Sequence, residues 1–543
     1  MKILFPGRRI FLVLTWSVFL AVGCAPMKPE TVLETTCRPP VINGRSLATD
    51  TPDDIAVTIP SFVGTAAERS LPDVLPAGDL LSLTIEQAAL MTLQNNRDLK
   101  VNQLNPALAG TFADIERGEF DPEWFAEWRY YKEKATETSR ATGEQFGVKG
   151  TEVETVVGLR QKLPTGTTLE AAVSHERDKS NRAPDQQTAR MGVTITQALL
   201  RGFGPAVNLA AIRQADLGVS ASLYELRAYV EGLLADSEIA YWQYVLAERE
   251  IAIFESSLAV VKQQRDEIEQ KIEVGLLPRT EAAAARAEVA VHEQSLIDAR
   301  SLLAERRLRL LRKIGPGSAD CFDLKIKALS DPFLPARPLG DPADRILLAD
   351  QSRPDLNEAR LRLLQNRLEI VVTANGVLPR LDFFVDLGRT GFADNFSQSF
   401  DQLDGNTYDY AAGVSLSGLI GNRAARARDY AARISYRQAA EAVTNLRQMI
   451  ELEVRLAVNE VERAREQIAA GRATRQLEEE KLQAEIERFE VGAGTSLLVA
   501  QAQRDLLISR IAEVRAIIHY RIALVKLYLA EGSLLERRGV KVD

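Results

Sequence analysis

The side chains with the most chemical reach are few and scattered. Among 543 residues there are 3 histidines and 3 cysteines, Cys24, Cys37 and Cys321. No two cysteines form a CxxC and none sits in a Cys/His cluster, so the spacing builds no zinc site. So few histidines leave little material for a metal or acid–base centre. Gly202-Phe203-Gly204 has the glycines of a phosphate loop without the Lys and Ser/Thr that such a loop needs; a turn from strand to helix explains it. No Ser/His/Asp set stands out. The expectation is a protein that is not an enzyme and binds no cofactor. Cys37 and Cys321 can pair in an oxidising compartment, and the sequence leaves that open. A formal charge of −8 with no basic face gives no reason to expect nucleic acid as a partner.

Cys24 has a more definite chemistry, set by what precedes it. Lys2, Arg8 and Arg9 are followed by an apolar run from Ile10 to Val22. That run is shorter than the roughly 20 residues a bilayer-spanning helix needs and suits the core of a signal peptide. Leu20-Ala21-Val22-Gly23-Cys24 resembles a bacterial lipobox, with Ala21 a departure from its commonest residue. The resemblance implies cleavage before Cys24 and a covalent lipid on its thiol; ordinary signal cleavage beside an incidental cysteine is the plainer alternative. Ala25, rather than Asp, follows, which by resemblance to bacterial sorting signals points to the outer membrane. Residues 1–23 are therefore expected to be a signal peptide and 24–80 a lipid-anchored tether, rich in Pro, Thr and Asp and without sustained period.

The remainder must position no catalytic group, and its composition says what it builds instead. Aromatic residues are 6% and charged residues 26%, a balance that favours long helices over a string of compact globules. One layout occurs twice: Gln270 to Glu288 and Arg488 to Asp505 each end a charged helix in Glu-Val-Gly, turn, and enter an Ala/Gln-rich helix, 217 residues apart. Gly275 and Gly492 stand where a helix C-terminus calls for positive φ. Ahead of each lies a stretch of about 65 residues, Val207 to Ile272 and Asn422 to Phe489, roughly 100 Å of helix. Ala240, Tyr244, Ala247, Ile251, Phe254, Leu258 and Val261 step alternately by four and three, as do Ile450, Val454, Ala457, Val461, Ala464 and Ile468. That is the seam of a supercoiled assembly.

Ahead of the helices come strands. Trp124, Ala126, Trp128 and Tyr130 alternate with Glu123, Phe125, Glu127 and Arg129; Met191, Val193 and Ile195 with Gly192, Thr194 and Thr196. In the second half Leu381, Phe383, Val385 and Leu387 face away from Arg380, Asp382 and Asp386, with Phe384 an exception, and Tyr408 to Leu416 alternate likewise. Such runs, with aromatic ends, fit transmembrane β-barrel strands; a soluble, half-buried hairpin packed on helices would alternate in the same way. Val153 to Leu163 and Thr167 to His175 form a further hairpin around Pro164-Thr165-Gly166, inside the barrel or outside it. Thr84 with Gln87 reads as a capping box opening the first half; Asn96-Arg97-Asp98-Leu99 has its parallel in Arg353-Pro354-Asp355-Leu356. The boundaries are a first repeat over 81–315, a connector over 316–345, a second repeat over 346–531 and a tail over 532–543.

From Leu83 to Gly532 the chain resembles the TolC-like outer membrane efflux proteins. The resemblance rests on the order of several anchors: Leu83 to Ala88, Gln197 to Gly204, Val274-Gly275-Leu276 with Ala285-Arg286, Val414-Ser415-Leu416 with Gly421-Asn422-Arg423, and Val491 to Thr495. It implies a fold that is mainly α with β, in which long coiled-coil helices build an α-barrel below a transmembrane β-barrel, with two internal repeats, as a homotrimer. It implies a passive duct of a tripartite export system, set in outer membrane lipid and partnered by a periplasmic adaptor and an inner-membrane transporter. The turnarounds would be the periplasmic tip, with Val274, Gly275, Val491, Gly492, Gly494 and Thr495 where the adaptor docks. Glu281, Leu498 and Gln501 occupy the positions of the tip constriction. Only Glu281 is acidic, which weakens the case for a strong cation-selective ring; as a helix N-terminal acid it also complements the macrodipole. The competing reading is a periplasmic coiled-coil adaptor or scaffold.

Overall fold

The structure, a computed structural model, describes residues 80–540 except 139, 141–142, 182–183, 316–320 and 334–338. The segments expected to be a signal peptide and a tether, with Cys24 and Cys37, and the side chain of Cys321 lie outside the described residues. Among the described residues no helix is long and apolar enough to cross a membrane.

The chain enters through strand β1 (Leu80–Leu83) and helix α1 (Ile85–Asn95). The capping box at Thr84 is formed: its Oγ1 accepts from the Gln87 N–H at 3.3 Å, and Gln87 Oε1 accepts from the Thr84 N–H at 2.9 Å. Helix α2 (Arg97–Asn102) is capped in turn by Asn96, whose Oδ1 accepts from the amides of Asp98 and Leu99. Helix α3 (Asn105–Arg117) leads into four consecutive strands, β2 (Glu123–Thr138), β3 (Gln145–Lys162), β4 (Thr167–Ser180) and β5 (Gln186–Ala198). A short α4 (Pro205–Asn208) precedes α5 (Ala210–Glu273), 64 residues, and the return helix α6 (Thr280–Ile314), 35 residues.

The region assigned to the connector carries structure of its own. Strand β6 (Lys325–Ala328) pairs in parallel with β1, Leu80 opposite Lys325 and Leu83 opposite Ala328. Tyr241 and Tyr244 on α5 pin this pair: Tyr241 Oη donates to the Leu83 carbonyl at 3.0 Å and Tyr244 Oη to the Ile326 carbonyl at 2.6 Å. Around them Leu81, Leu83, Ile85, Trp242, Val245, Leu310, Leu311 and Ile314 form a core.

The second half has α7 (Pro342–Ser352), α8 (Pro354–Gly376), strands β7 (Arg380–Ala393) and β8 (Tyr408–Ser417), and between them α9 (Phe396–Asp401). Helices α10 (Arg423–Glu490), 68 residues, and α11 (Ser496–Ala530), 35 residues, follow. The seam residues Ile450, Val454, Val461 and Ala464 are buried against Tyr520, Ala523 and Leu527 of α11. The region read as a tail also packs: α12 (Leu534–Arg537) buries Leu534 and Leu535 among Leu226, Val230 and Leu234 of α5.

The strands other than β1 and β6 form one antiparallel sheet in the order β2-β3-β4-β5-β7-β8. The hairpin around residues 164–166 is thus in the middle of the sheet rather than outside it.

Candidate functional site

Two regions carry the features from which a conduit would be made: the sheet, whose faces differ chemically, and the far ends of the helices, where both turnarounds meet.

The register assigns every side chain of the sheet to a face, because successive residues alternate. Trp124, Ala126, Trp128 and Tyr130 share a face with Val153, Val157 and Leu159 of β3, Leu169, Ala171 and Val173 of β4, and Ala189, Met191, Val193 and Ile195 of β5. Leu381, Phe383, Val385 and Leu387 of β7 and Tyr408, Tyr410, Ala412, Val414 and Leu416 of β8 continue it. Much of this face lies open; Trp124 is 75% and Leu416 70% exposed. An apolar face of this extent, left in water, would be costly, and hydrocarbon removes that cost.

The opposite face is polar and crowded with charge. Arg190 on β5 donates to Asp386 Oδ1 on β7 at 2.8 Å and to Asp409 Oδ2 on β8 at 2.6 Å. Gly388 makes room for this group, since a Cβ there would lie 2.7 Å from Asp409 Oδ1 and 2.8 Å from an Arg190 nitrogen. Arg129 pairs with Glu154, and Arg160 with Glu170 at 2.9 Å. Glu127, Glu133, Glu152, Glu176 and Asp178 add negative charge to the same face. Two of the aromatic residues on this face, Phe125 and Phe384, have one explanation. Phe125 lies over its cross-strand partner Gly158, and Phe384 over Gly413, so that a Cβ on either glycine would be 2.6 Å from the ring. Each ring covers the backbone that a glycine leaves bare.

Both ends of the sheet are tied down. At the helix end, Gly166 of the β3–β4 turn sits against the β5–α4 junction. Asn208 Nδ2 donates to the carbonyls of Pro164 at 3.1 Å and Gly202 at 2.8 Å, and the Gly204 amide donates to Thr165 O at 3.1 Å. Positive φ at Gly202 and Gly204, 84° and 89°, lets the chain make this strand-to-helix turn. At the other end α9 folds back on the apolar face. Phe396 and Phe400 pack on the His175 ring at 4.6 and 5.9 Å, and a Cβ at Gly391 would lie 2.0 Å from the Ser399 carbonyl oxygen.

At the far ends of the helices the two turns have the same geometry. Val274 and Val491 both have φ −85° and ψ 5°, followed by Gly275 at φ 79° and Gly492 at φ 77°. Leu276 N–H bonds back to Lys271 O at 2.8 Å and Gly275 N–H to Ile272 O at 3.0 Å; Ala493 and Gly492 do the same to Arg488 and Phe489. These are Schellman caps, which require a residue free to take positive φ. Val274, Leu276 and Val491 are exposed. Thr495 stands at the N-cap of α11 without a side-chain cap bond, and Gly494 packs tightly on the backbone of Arg488 and Phe489.

Of the three constriction positions, Glu281 is drawn to the other turnaround: its carboxylate accepts a hydrogen bond from Ser496 Oγ. Leu498 and Gln501 lie on the exposed face of α11. The link between the helical hairpins runs through residues that sequence reasoning passed over. Besides Ser496, Gln503 bonds Gln264, Arg504 lies 3.5 Å from Glu288, Arg515 bonds the buried Glu250 at 2.7 Å, and Lys271 Nζ lies 5.4 Å from the Phe489 ring centre. The signal available was polarity out of place: Ser496, Gln503 and Ser509 interrupt the buried face of α11. Within each hairpin, ion pairs hold the helices side by side. Arg510 and Arg475 hold the Glu479 carboxyl below its usual range through hydrogen bonds, and Lys262 does the same for Glu293.

Residues 346–533 match the family model for the outer membrane efflux protein. The outer membrane efflux protein BepC of Brucella suis biovar 1 (strain 1330) is 24% identical over 347 residues, 63% of this chain and 71% of its own. Among solved structures, the outer-membrane channel OprN superposes with a TM-score of 0.62 at 19% identity, over 83% of this chain and 90% of its own. The Campylobacter jejuni CmeC outer membrane channel gives 0.60 at 16% identity, over 83% and 86%, and the outer membrane protein VceC of Vibrio cholerae 0.60 at 16%, over 84% and 97%. At these identities the superpositions speak for the fold alone.

Proposed function

From the match of residues 346–533 to the outer membrane efflux protein family model and the similarity to BepC, we propose that the chain is the outer membrane duct of a tripartite export system. Three copies would close one β-barrel in the membrane and one α-barrel beneath it, and substrates would pass through without chemistry on this chain. A periplasmic adaptor would dock on the turnarounds at Val274-Gly275 and Val491-Gly492, Gly494 and Thr495, and an inner-membrane transporter would supply the energy. A lipid on Cys24 would anchor each copy.

The observation that carries this reading is the pair of chemically distinct faces on one sheet, set on helices of 64 and 68 residues. A sheet with open edges cannot sit in lipid, where each unpaired backbone group goes unsatisfied; closure with further copies removes the edges. A periplasmic scaffold would have no use for so large an exposed apolar face, and the family match favours the duct.

Conduction would require the two turnarounds to separate, and Glu281 with Ser496 is the hydrogen-bonded link between the hairpins that lies nearest both turns in the sequence. The test is a disulfide between Glu281→Cys and Ser496→Cys, with Cys37 and Cys321 replaced by Ser. Purified protein in planar bilayers should show channels whose open probability falls on oxidation and returns on reduction. Protein that fractionates as a water-soluble monomer and never conducts would refute the duct; Cys24→Ser, retained in the membrane fraction but without acyl label, would isolate the role of the anchor.

A further inference from the structure

The hairpin β3–β4 stands in the middle of the sheet, and its position has a consequence for the width of the barrel. Followed across the register, Trp124 is opposite Leu159, Leu159 opposite Ala171, Ala171 opposite Val193, Val193 opposite Leu387, and Leu387 opposite Tyr410. On β2 this row meets the apolar stretch at its helix-side end, Trp124; on β8, at the other edge of the sheet, it meets the corresponding stretch near its far end, at Tyr410, with Leu416 the helix-side end. The apolar band therefore slides along the strands by roughly one residue per strand. With ~3.3 Å per residue and ~4.8 Å between strands, that slide corresponds to a tilt of about 35°, the stagger by which a sheet closes into a barrel.

All six strands obey this slide, β3 and β4 included: Val153, Val157 and Leu159, then Leu169, Ala171 and Val173, fill the band between β2 and β5. Their lower turn is fixed to the β5–α4 junction by Asn208 and Gly204, at the height where the other strands meet the helices. A hairpin folded into the lumen or out over the surface would have neither feature. The sheet's edges, among the described residues, are β2 and β8. They run in opposite directions, each with an apolar and a polar face, so β8 of one copy receives β2 of the next as an antiparallel neighbour with both faces continuous.

Resting on the trimeric duct proposed above, we infer that β2 pairs with β8 of a second copy of this chain and that all six strands of each copy stand in the wall, so the barrel has eighteen strands. An average slide of about one residue per strand over the six strands of a copy brings the row that began at Trp124 to the next β2 at Tyr130, which places Trp124, Ala126, Trp128 and Tyr130 opposite Leu416, Val414, Ala412 and Tyr410 of the neighbour. An eighteen-stranded wall at this tilt has a backbone radius of roughly 17 Å, wide enough for an open aqueous bore, and the narrowest passage falls to the helical tip.

The test joins copies at the predicted register in the full-length protein, with Cys37 and Cys321 replaced by Ser. Ala126→Cys combined with Val414→Cys should oxidise to a covalent ladder ending at three chains, while Ala126→Cys with Leu416→Ser gives none. Separately, single spin labels at Val157 and Val173 should be relaxed by oxygen dissolved in lipid, and labels at Val156 and Ser174 by a water-soluble nickel chelate. These two single-site experiments remain readable where the double variant fails to assemble. A native trimer that conducts but shows no ladder, or whose labels at Val157 and Val173 respond to the water-soluble agent, would overturn the eighteen-stranded wall and leave the duct standing. A monomer under all conditions would overturn both.

Discussion

Glu231 gives the sharpest test of the packing that joins the end of the chain to the first half. It lies on α5, 1% exposed, beside Arg227, whose Nε is 3.5 Å from Glu231 Oε1 and whose other nitrogen is committed to Glu536 on α12. Glu231 Oε1 is without a hydrogen bond. Burial, opposed by Arg227 and reinforced by the negative charge of Glu536, raises its pKa from 4.5 to about 7. The folded state therefore holds a proton that the unfolded chain releases near pH 4.5, and stability declines as pH rises from about 4.5 to about 7. At 1.36 kcal/mol per unit the decline is about 3 kcal/mol. Glu231→Gln keeps the shape and removes the charge. Above pH 7 the variant should be more stable than the parent by up to about 3 kcal/mol, less what Arg227 loses, and near pH 5 the two should coincide. Thermal unfolding of the detergent-solubilised assembly at half-unit steps from pH 4.5 to 8 measures the difference between the curves, in which the other titrating groups cancel. Parallel curves, or a variant less stable than the parent at pH 8, would refute the reasoning.

Three further outcomes follow from the faces and contacts of the sheet and tip. Val157→Arg places a charge on the apolar face and should cost about 2–4 kcal/mol of barrel stability at mid-membrane depth, whereas Val156→Arg, one residue along and on the polar face, should leave heat-modifiable migration unchanged; equal loss in both would mean the faces are misassigned. Gly391→Val drives a side chain into the Ser399 carbonyl and should displace α9, seen as new protease cleavage between 394 and 407 in an otherwise intact assembly. Arg515→Ala leaves the buried Glu250 carboxylate unpaired, a loss on the order of 3 kcal/mol, and should raise basal conductance by loosening α11 from α5; unchanged conductance with a normal melting profile would show that this ion pair does not restrain the tip.

What could be read from the chain followed from local physics. The capping box at Thr84, the twin Val-Gly caps and the alternation of Trp124 to Tyr130 are decided within a few residues, and each is present as expected. The seam from Ile450 to Ala464 was legible because a seven-residue repeat leaves little choice of face. Strand order was not. Alternation says which face a residue takes but not which strand lies beside it, so Val153 to His175 could be recognised as a hairpin and not placed. Phe384 looked like a break in a polar pattern, and Phe125 stood unexplained among Glu123, Glu127 and Arg129, because their partners, Gly413 and Gly158, are fixed only by register. Leu534 and Leu535 resembled a loose tail because their partners on α5 lie some 300 residues earlier. A separation of 215 residues likewise hid the pairing of Glu281 with Ser496, which belong to two separate halves.

The parallel pairing of β1 with β6 has a mechanical side. A pull on the N-terminal end of β1, at Leu80, acts along the axis of that strand. In a parallel pair loaded in that direction, the rungs from Leu80–Lys325 to Leu83–Ala328 take the force together as shear instead of peeling one after another. Tyr241 and Tyr244 then pass the load directly to α5. The join behaves as a mooring rather than a zipper.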